Sequence, residues 1–318
     1  MAASVQQCVS PFANAVISGL TAAQKHISAR YFYDDLGSAL FEAITLLPEY
    51  GLTRADERLL RTHAADISKY LNLVTDVAEL GSGTGKKTRH VLEALCRRNW
   101  ALRYQPIDVS QAALIACERE LESVCDVRPI CADWMDGLET IARARRGEGR
   151  LLLMFLGSSI GNLDRGAIPQ FLRDLRTHLS PGDYFLLGAD LVKDVNQMQA
   201  AYDDPTGVTA AFNLNLLGRM NRELHADFDL RTFAHEVRWN EKDRRIEMHL
   251  LSCRNQRVYF AALDLAVAFE AGETIWTESS HKFTVSELED CARSTGFQAV
   301  MAWVDQDWPF AEVLWRVE

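Results

Sequence analysis

Residues 77–89, Val77-Ala-Glu-Leu-Gly-Ser-Gly-Thr-Gly-Lys-Lys-Thr-Arg89, decide the fold. An apolar run (Leu73, Val74, Val77, Ala78, Leu80) carries an acid, Glu79, near its end and then opens into three glycines at alternate positions, Gly81, Gly83 and Gly85. A helical pattern follows through Val91, Leu92 and Leu95, so the order is strand, glycine turn, helix. Such glycines let the backbone come close to a ligand at the carboxyl end of the first strand, where open α/β sheets bind cofactors. A Walker A loop has four residues between its first glycine and Gly-Lys; Gly81 and Gly85 are separated by three, which disfavours ATP. The dinucleotide fingerprint asks for glycine at 86, where Lys86 stands, and this makes an NAD-dependent oxidoreductase the weakest reading. A second acid, Asp108, ends Tyr104-Gln105-Pro106-Ile107. It falls roughly 20-odd residues on, where a ribose-binding carboxylate is expected.

A chain of 318 residues with 48% hydrophobic content suits one large α/β domain or two smaller units. Its formal charge of −10 gives no footprint for nucleic acid or an anionic membrane, which points to a small-molecule partner. The aromatic residues are scattered rather than interleaved with Lys and Arg as on a base-stacking surface. Seven cysteines (8, 96, 117, 125, 131, 253, 291) form no CxxC pair, so reduced thiols and no metal are expected. The N-terminal Met-Ala-Ala-Ser-Val-Gln-Gln has no signal-peptide pattern, and no apolar run approaches about 18 residues. A soluble, cytoplasmic monomer is expected.

Residues 57–192 have the texture of repeated βα units, a doubly wound pattern. Arg103–Asp108 is followed by a helix from an N-cap at Ser110. Val127–Cys131 is expected as a third strand, the 145–150 stretch as a polar connection, and Leu151–Leu156 as a buried parallel strand. A helix through Ile168, Phe171, Leu172 and Leu175 precedes a strand at Tyr184–Leu187. From about 193 a helical stretch, Met198–Asn221, is broken at Pro205-Thr206-Gly207. Antiparallel strands are expected at Phe233–Trp239, Ile246–Cys253 and Val258–Leu265, with a polar turn about Asp243. Then come a helix at Val285–Cys291 and two last strands of the main sheet, Phe297–Trp303 and Ala311–Trp315. The expected division is 57–192 with 283–318 as a cofactor domain, and 8–56 with 193–282 as a substrate-binding unit.

An acid before alternating glycines, with another acid ending the next strand, resembles the S-adenosylmethionine (SAM) site of Rossmann-like class I methyltransferases. Five further segments point to one family. They are Tyr31-Phe32-Tyr33-Asp34 with Gly37-Ser38 and Leu40-Phe41; Leu47-Pro48-Glu49-Tyr50 with Thr53-Arg54; and Phe155-Leu156-Gly157-Ser158-Ser159-Ile160-Gly161-Asn162. Tyr202-Asp203-Asp204 follows with Gly207-Val208-Thr209 and Phe212-Asn213-Leu214-Asn215, then Ile275-Trp276-Thr277-Glu278-Ser279-Ser280-His281-Lys282-Phe283. In this order, from Tyr31 to the C-terminus, the chain resembles the L-histidine Nα-methyltransferases of ergothioneine biosynthesis.

The resemblance implies Nα-trimethylation of L-histidine to hercynine, with SAM as cofactor. At the cofactor it implies Gly81, Gly83, Lys87, Asp108, Asp133, Trp134 and Gly157, with Asp108 on the ribose and Asp133 and Trp134 flanking the adenine. Asn162 and Tyr202 match positions that hold the substrate carboxylate and amine. Glu278 and Ser280 match contacts to the imidazole, and strand alternation sends both to one side. Met248 matches a pocket wall, and Tyr33, Phe41 and Tyr50 match aromatics around amine and ring. Tyr33 and Asn162 are implied closest to the chemistry, with Tyr33 or water left open as the base.

Taken without the resemblance, Asn162 is a turn residue, Tyr202 a helix-surface aromatic, Met248 core and Glu278 a solvated acid. The family commonly has a second aromatic and a proline after Pro-Glu-Tyr; here Gly51-Leu52 stand there, which bears on ring specificity. Gly85-Lys86 also departs, as a glycine that only relaxes the turn. Rival readings are a relative acting on tryptophan or a derivative, against which Glu278 argues, and a non-catalytic SAM-binding sensor.

Overall fold

The computed structural model describes residues 10–98, 101–145 and 149–318. The N-terminal segment with Cys8, and residues 146–148 of the polar connection, lie outside the described residues. The chain forms two units. The smaller comprises residues up to Ile44, Gln199–Asn240 and Ile246–Ser279; the larger comprises Thr45–Met198, Glu241–Arg245 and Ser280–Glu318.

The smaller unit begins with helices α1 (Pro11–Leu20), capped by Ser10 with proline in its first turn, and α2 (Asp35–Thr45). The larger begins with α3 (Gly51–Tyr70), strand β1 (Val74–Leu80), α4 (Arg89–Cys96), β2 (Arg103–Asp108) and α5 (Gln111–Leu121). Ser110 caps α5 as expected, its Oγ accepting from Ala113 N–H at 3.3 Å. The third expected strand is two short pieces, β3 (Asp126–Val127) and β4 (Ile130–Cys131), both paired with β2. Pro129 lies between them and has no N–H to give the ladder.

Next come α6 (Trp134–Ala144), β5 (Arg150–Phe155), α7 (Ile168–Thr177) and β6 (Tyr184–Asp190). Strand β6 runs beyond the expected Leu187, and all seven of its residues are buried. Helices α8 (Val195–Tyr202) and α9 (Val208–Leu224) flank the expected break. Asp204 caps α9 by accepting from the N–H groups of Val208 and Thr209.

In the smaller unit β7 (Phe233–Asn240), β8 (Arg245–Ser252) and β11 (Thr274–His281) form one sheet in the order β11-β8-β7. The expected strand Val258–Leu265 is instead a hairpin of β9 (Gln256–Phe260) and β10 (Leu265–Phe269). The chain turns there through Asp264 at φ +47°. Helix α10 (Val285–Ser294), opened by a Thr284–Glu287 capping box, precedes β12 (Phe297–Asp305) and β13 (Phe310–Val317).

The larger unit is a mixed eight-stranded sheet, ordered β12-β13-β6-β5-β1-β2-β3 with β4 also on β2. Strands β1 to β6 run parallel, while β13 is antiparallel to β6 and β12. The order reverses at β1, between β5 and β2, which puts the cofactor crevice at the carboxyl ends of these strands. Residues 45–56, expected with the smaller unit, run instead into α3, which packs on β12 and β13. Among the described residues no helix is long and apolar enough to cross a membrane.

Candidate active site

The glycine turn uses backbone that glycine adopts most easily: Gly81, Gly83 and Gly85 have φ of +67°, +54° and +72°. A Cβ on Gly83 would have nothing within 4 Å, so this edge of the loop is open to a ligand. Gly85 differs. A Cβ there would meet Cys117 Sγ at 2.7 Å and Leu121 at 2.8 Å, so α5 packs against it. This corrects the expectation that Gly85 only relaxes the turn.

Asp108 is tied to that loop: Gly83 N–H donates to Oδ2 at 3.0 Å and Ser110 N–H to Oδ1 at 2.9 Å. A carboxylate oxygen that accepts one N–H retains capacity for a hydroxyl. Asp133 caps α6, accepting from Trp134 N–H at 3.1 Å. The Trp134 indole meets Phe155 edge-on at 4.8 Å, and its Nε1 would lie 3.4 Å from a Cβ on Gly81. An open backbone edge, a ribose-ready carboxylate and an aromatic ring at the ends of adjacent strands fit an adenosyl group.

Beside the loop stands an acidic cluster. Lys87 Nζ is 2.5 Å from Asp56 Oδ2, which also accepts Gly157 N–H at 2.9 Å. Burial works against the lysine's charge, but Asp56 outweighs it and holds Lys87 above its usual pKa. Gly157 has φ +72°, and a Cβ on it would meet Lys87 Nζ at 3.0 Å. Glu79 accepts from Thr88 Oγ1 at 2.7 Å and from Tyr104 at 2.5 Å, yet burial pushes its carboxyl up to about 7. Glu312 is fully buried with no hydrogen-bond partner for either oxygen among the described residues. Burial, and then the charge of Asp56, hold it well above the usual carboxylate range.

A second cluster lies where β6 ends. Asp190 accepts from Trp308 Nε1 at 2.9 Å and from Lys193, and Lys282 Nζ lies 2.8 Å from its Oδ2. Burial opposes the charge of Asp190, and the two ammoniums outweigh it, lowering its pKa. Lys193 is pushed down to about 8, first by burial and then by the charge of Lys282, against the pull of Asp190.

The residues expected at the substrate are divided between the two units. In the larger unit, Tyr50 is buried just before α3. A Cβ on the next residue, Gly51, would stand 2.1 Å from the Trp308 ring, so Gly51 is where that indole passes. Asn162 ends a short 3₁₀ turn, Ser159–Asn162. Its neighbour Gly161 comes so close to His281 that a Cβ would be 2.9 Å from the His281 carbonyl. Ser280 is buried and accepts from Lys282 Nζ at 2.8 Å.

In the smaller unit Tyr33 meets Phe41 edge-on at 5.6 Å and Phe212 at 5.9 Å. Phe212 completes this aromatic trio and was not singled out from sequence, although it lies within the Phe212–Asn215 segment. Tyr202 is buried, and its carbonyl accepts from His235 Nε2 at 2.8 Å. Met248 is buried, and Glu278 is half-buried with its carbonyl accepting from Trp276 Nε1 at 2.8 Å. Asp56, Asp190, Lys282 and Trp308 were also missed. Asp190 carries a local signal, an acid inside the apolar run 184–192; Asp56, Lys282 and Trp308 lie in polar surroundings and carry none.

Residues 12–317 match the family described as histidine-specific, SAM-dependent methyltransferases. The chain belongs to that family. It is 44% identical over 295 residues to a histidine N-alpha-methyltransferase of Mycobacterium tuberculosis, covering 92% of this chain and 90% of that protein. A protein of the same name from Mycolicibacterium smegmatis is 43% identical, covering 91% and 90%. Ergothioneine biosynthesis protein 1 of Neurospora crassa is 29% identical over 85% of this chain but 31% of its own length. The protein is thus a SAM-dependent methyltransferase with a Rossmann-like fold. The glycine loop, Asp108, Asp133 and Trp134 are the groups that fit the cofactor it requires.

Proposed function

We propose that this protein methylates the α-amino nitrogen of L-histidine three times to give hercynine, a step toward ergothioneine. The observation that carries the proposal is 44% identity over 92% of the chain to a histidine N-alpha-methyltransferase. The acidic balance of the chain also supports a small-molecule substrate over nucleic acid.

When bound, SAM supplies a methyl group on an electrophilic sulfonium. The chain's task is to present a neutral amine lone pair in line with it and to exclude water, work that positioning and desolvation can do without a metal. Asn162 and Tyr202 take the amino-acid carboxylate and amine. The backbone of Tyr202 is fixed by His235, whose Nδ1 stands 2.9 Å from the Asn213 amide nitrogen. Burial lowers the His235 pKa and keeps the ring neutral, so Nε2–H donates to Tyr202 while Nδ1 accepts from the amide. Tyr33, Phe41 and Phe212 offer π surface to the quaternary ammonium as it builds up, worth about 0.5–2 kcal/mol per contact. Glu278 and Ser280 hold the imidazole, and a carboxylate there disfavours purely apolar side chains.

Glu278→Ala tests the ring assignment. Steady-state kinetics should show a histidine KM raised about tenfold or more, with activity gained toward apolar aromatic amino acids. An unchanged KM and unchanged selectivity would remove Glu278 from the pocket.

A further inference from the structure

Lys282 is the least expected side chain of the larger unit: a lysine 0% exposed, two residues beyond Ser280. Its ammonium reaches Asp190 Oδ2 and Ser280 Oγ, both at 2.8 Å. Its backbone is pinned as well, the N–H donating to the Arg244 carbonyl at 2.8 Å and the carbonyl accepting from Arg165 at 2.8 Å. Burying a lysine is costly unless it is paired and hydrogen-bonded. Asp190 pairs the charge, and Ser280 Oγ takes another of the three N–H donors, which leaves the serine hydroxyl to act as a donor in its turn.

We propose that Lys282, anchored on Asp190, is a positioning residue that makes Ser280 a donor toward the substrate, so that the pocket takes the imidazole ring in its neutral form. The inference rests on the reading that Ser280 meets the ring. A hydroxyl oxygen that accepts from an ammonium becomes a weaker acceptor and a stronger donor toward any further group. A ring nitrogen facing it is held best with its lone pair exposed, while the opposite N–H suits the carboxylate of Glu278 on the same strand.

Charge points the same way. The cluster sets two ammoniums, Lys193 and Lys282, against the single carboxylate of Asp190. A like charge nearby disfavours an imidazolium. Nearby, Arg165 and Arg244 pair with Glu287, Arg245 with Asp243, and Glu247 of the neighbouring strand with His249; Asp164 also acts on His281. His281 is kept neutral by burial, and its Nδ1 faces the Asp243 carbonyl. Without Lys282, the carboxylate of Glu278 would favour the protonated ring; Lys282 reverses that preference.

Titration calorimetry of histidine into the wild-type enzyme saturated with S-adenosylhomocysteine reads the ring's protonation. It is run in two buffers of different ionisation enthalpy, between about pH 8 and pH 5.5. Proton release from the amine is constant over this range. The ring's contribution should rise toward about one additional proton as pH falls below the histidine value of about 6.5. No rise, or proton uptake near pH 8, would overturn the inference even with histidine confirmed as substrate.

Lys282→Met should abolish the rise and increase the histidine KM roughly tenfold, the SAM KM holding steady. Ser280→Ala, a smaller disturbance, should abolish the rise in the same way. Either folded variant that keeps the wild-type proton release overturns the role of Lys282; should Lys282→Met fail to fold, Ser280→Ala decides. An enzyme that methylates another amino acid and not histidine overturns the functional reading, and this inference with it.

Discussion

Two buried charge clusters stand in the larger unit, and they are unbalanced in opposite senses. Around the glycine loop, Asp56, Glu79 and Glu312 share one lysine, Lys87; at the end of β6, Lys193 and Lys282 share one carboxylate, Asp190. The acid-rich cluster responds by holding protons, with Glu79 pushed up to about 7 and Glu312 held well above the usual carboxylate range. The base-rich cluster responds by holding one proton less tightly, with Lys193 pushed down to about 8. A fold built only for stability would not keep either imbalance, since a hydrophobic replacement of similar volume is often neutral or stabilising. Both clusters lie at the carboxyl ends of parallel strands, where this sheet architecture binds its ligands.

The most direct way to break the comparison is Asp190→Ala, which takes from both lysines the carboxylate they share. Removing one partner from a buried ion pair should cost about 3–5 kcal/mol, read as a fall in unfolding free energy in urea. A loss under about 1 kcal/mol would show that the cluster is not held as described.

The two imbalances also predict opposite pH dependences. Glu79 has a folded pKa of about 7 against 4.5. Its contribution to stability is therefore full below about pH 4.5 and lost as pH rises to about 7. Lys193 is lowered from 10.5 to about 8, so its contribution is present above about 10.5 and lost as pH falls through about 8. Each amounts to roughly 3 kcal/mol at most. Glu79→Gln should flatten the stability profile on the acid side, and Lys193→Met should flatten it on the alkaline side. Identical profiles for the two variants would erase the contrast.

A smaller effect sharpens the acid-rich side. Asp108→Ala removes the carboxylate proposed to take the ribose hydroxyls and should weaken S-adenosylhomocysteine binding by about 2 kcal/mol, roughly thirtyfold, by calorimetry. Undiminished binding would place the cofactor elsewhere.

These clusters also mark where the sequence stopped being legible. Strand, glycine turn and helix were readable at 77–95 because period-2 and period-3.6 patterns and a run of glycines are local signals. Strands β5, β12 and β13 were readable for the same reason, being largely apolar runs of the right length. Strand β3 failed at Pro129, and Val258–Leu265 failed at Asp264, where a single residue overrides an apolar pattern. The unit boundary failed at 45–56 because the packing of α3 on β12 and β13 joins segments more than 200 residues apart.

The cofactor side of the site was legible as motif. The partners that tune it were not: Lys87 with Asp56, Lys282 with Asp190, and Gly51 with Trp308 meet only in the folded chain. Gly51 illustrates the difference. In sequence it is a departure from the family pattern that bears on the ring pocket. In the fold it is the one residue small enough to let the Trp308 indole pass and donate to Asp190.

The central claim is tested most directly by mass spectrometry of the purified protein incubated with SAM and each of the twenty amino acids. The account predicts a trimethylated product from histidine alone. A product from another amino acid, or none from histidine, would contradict it.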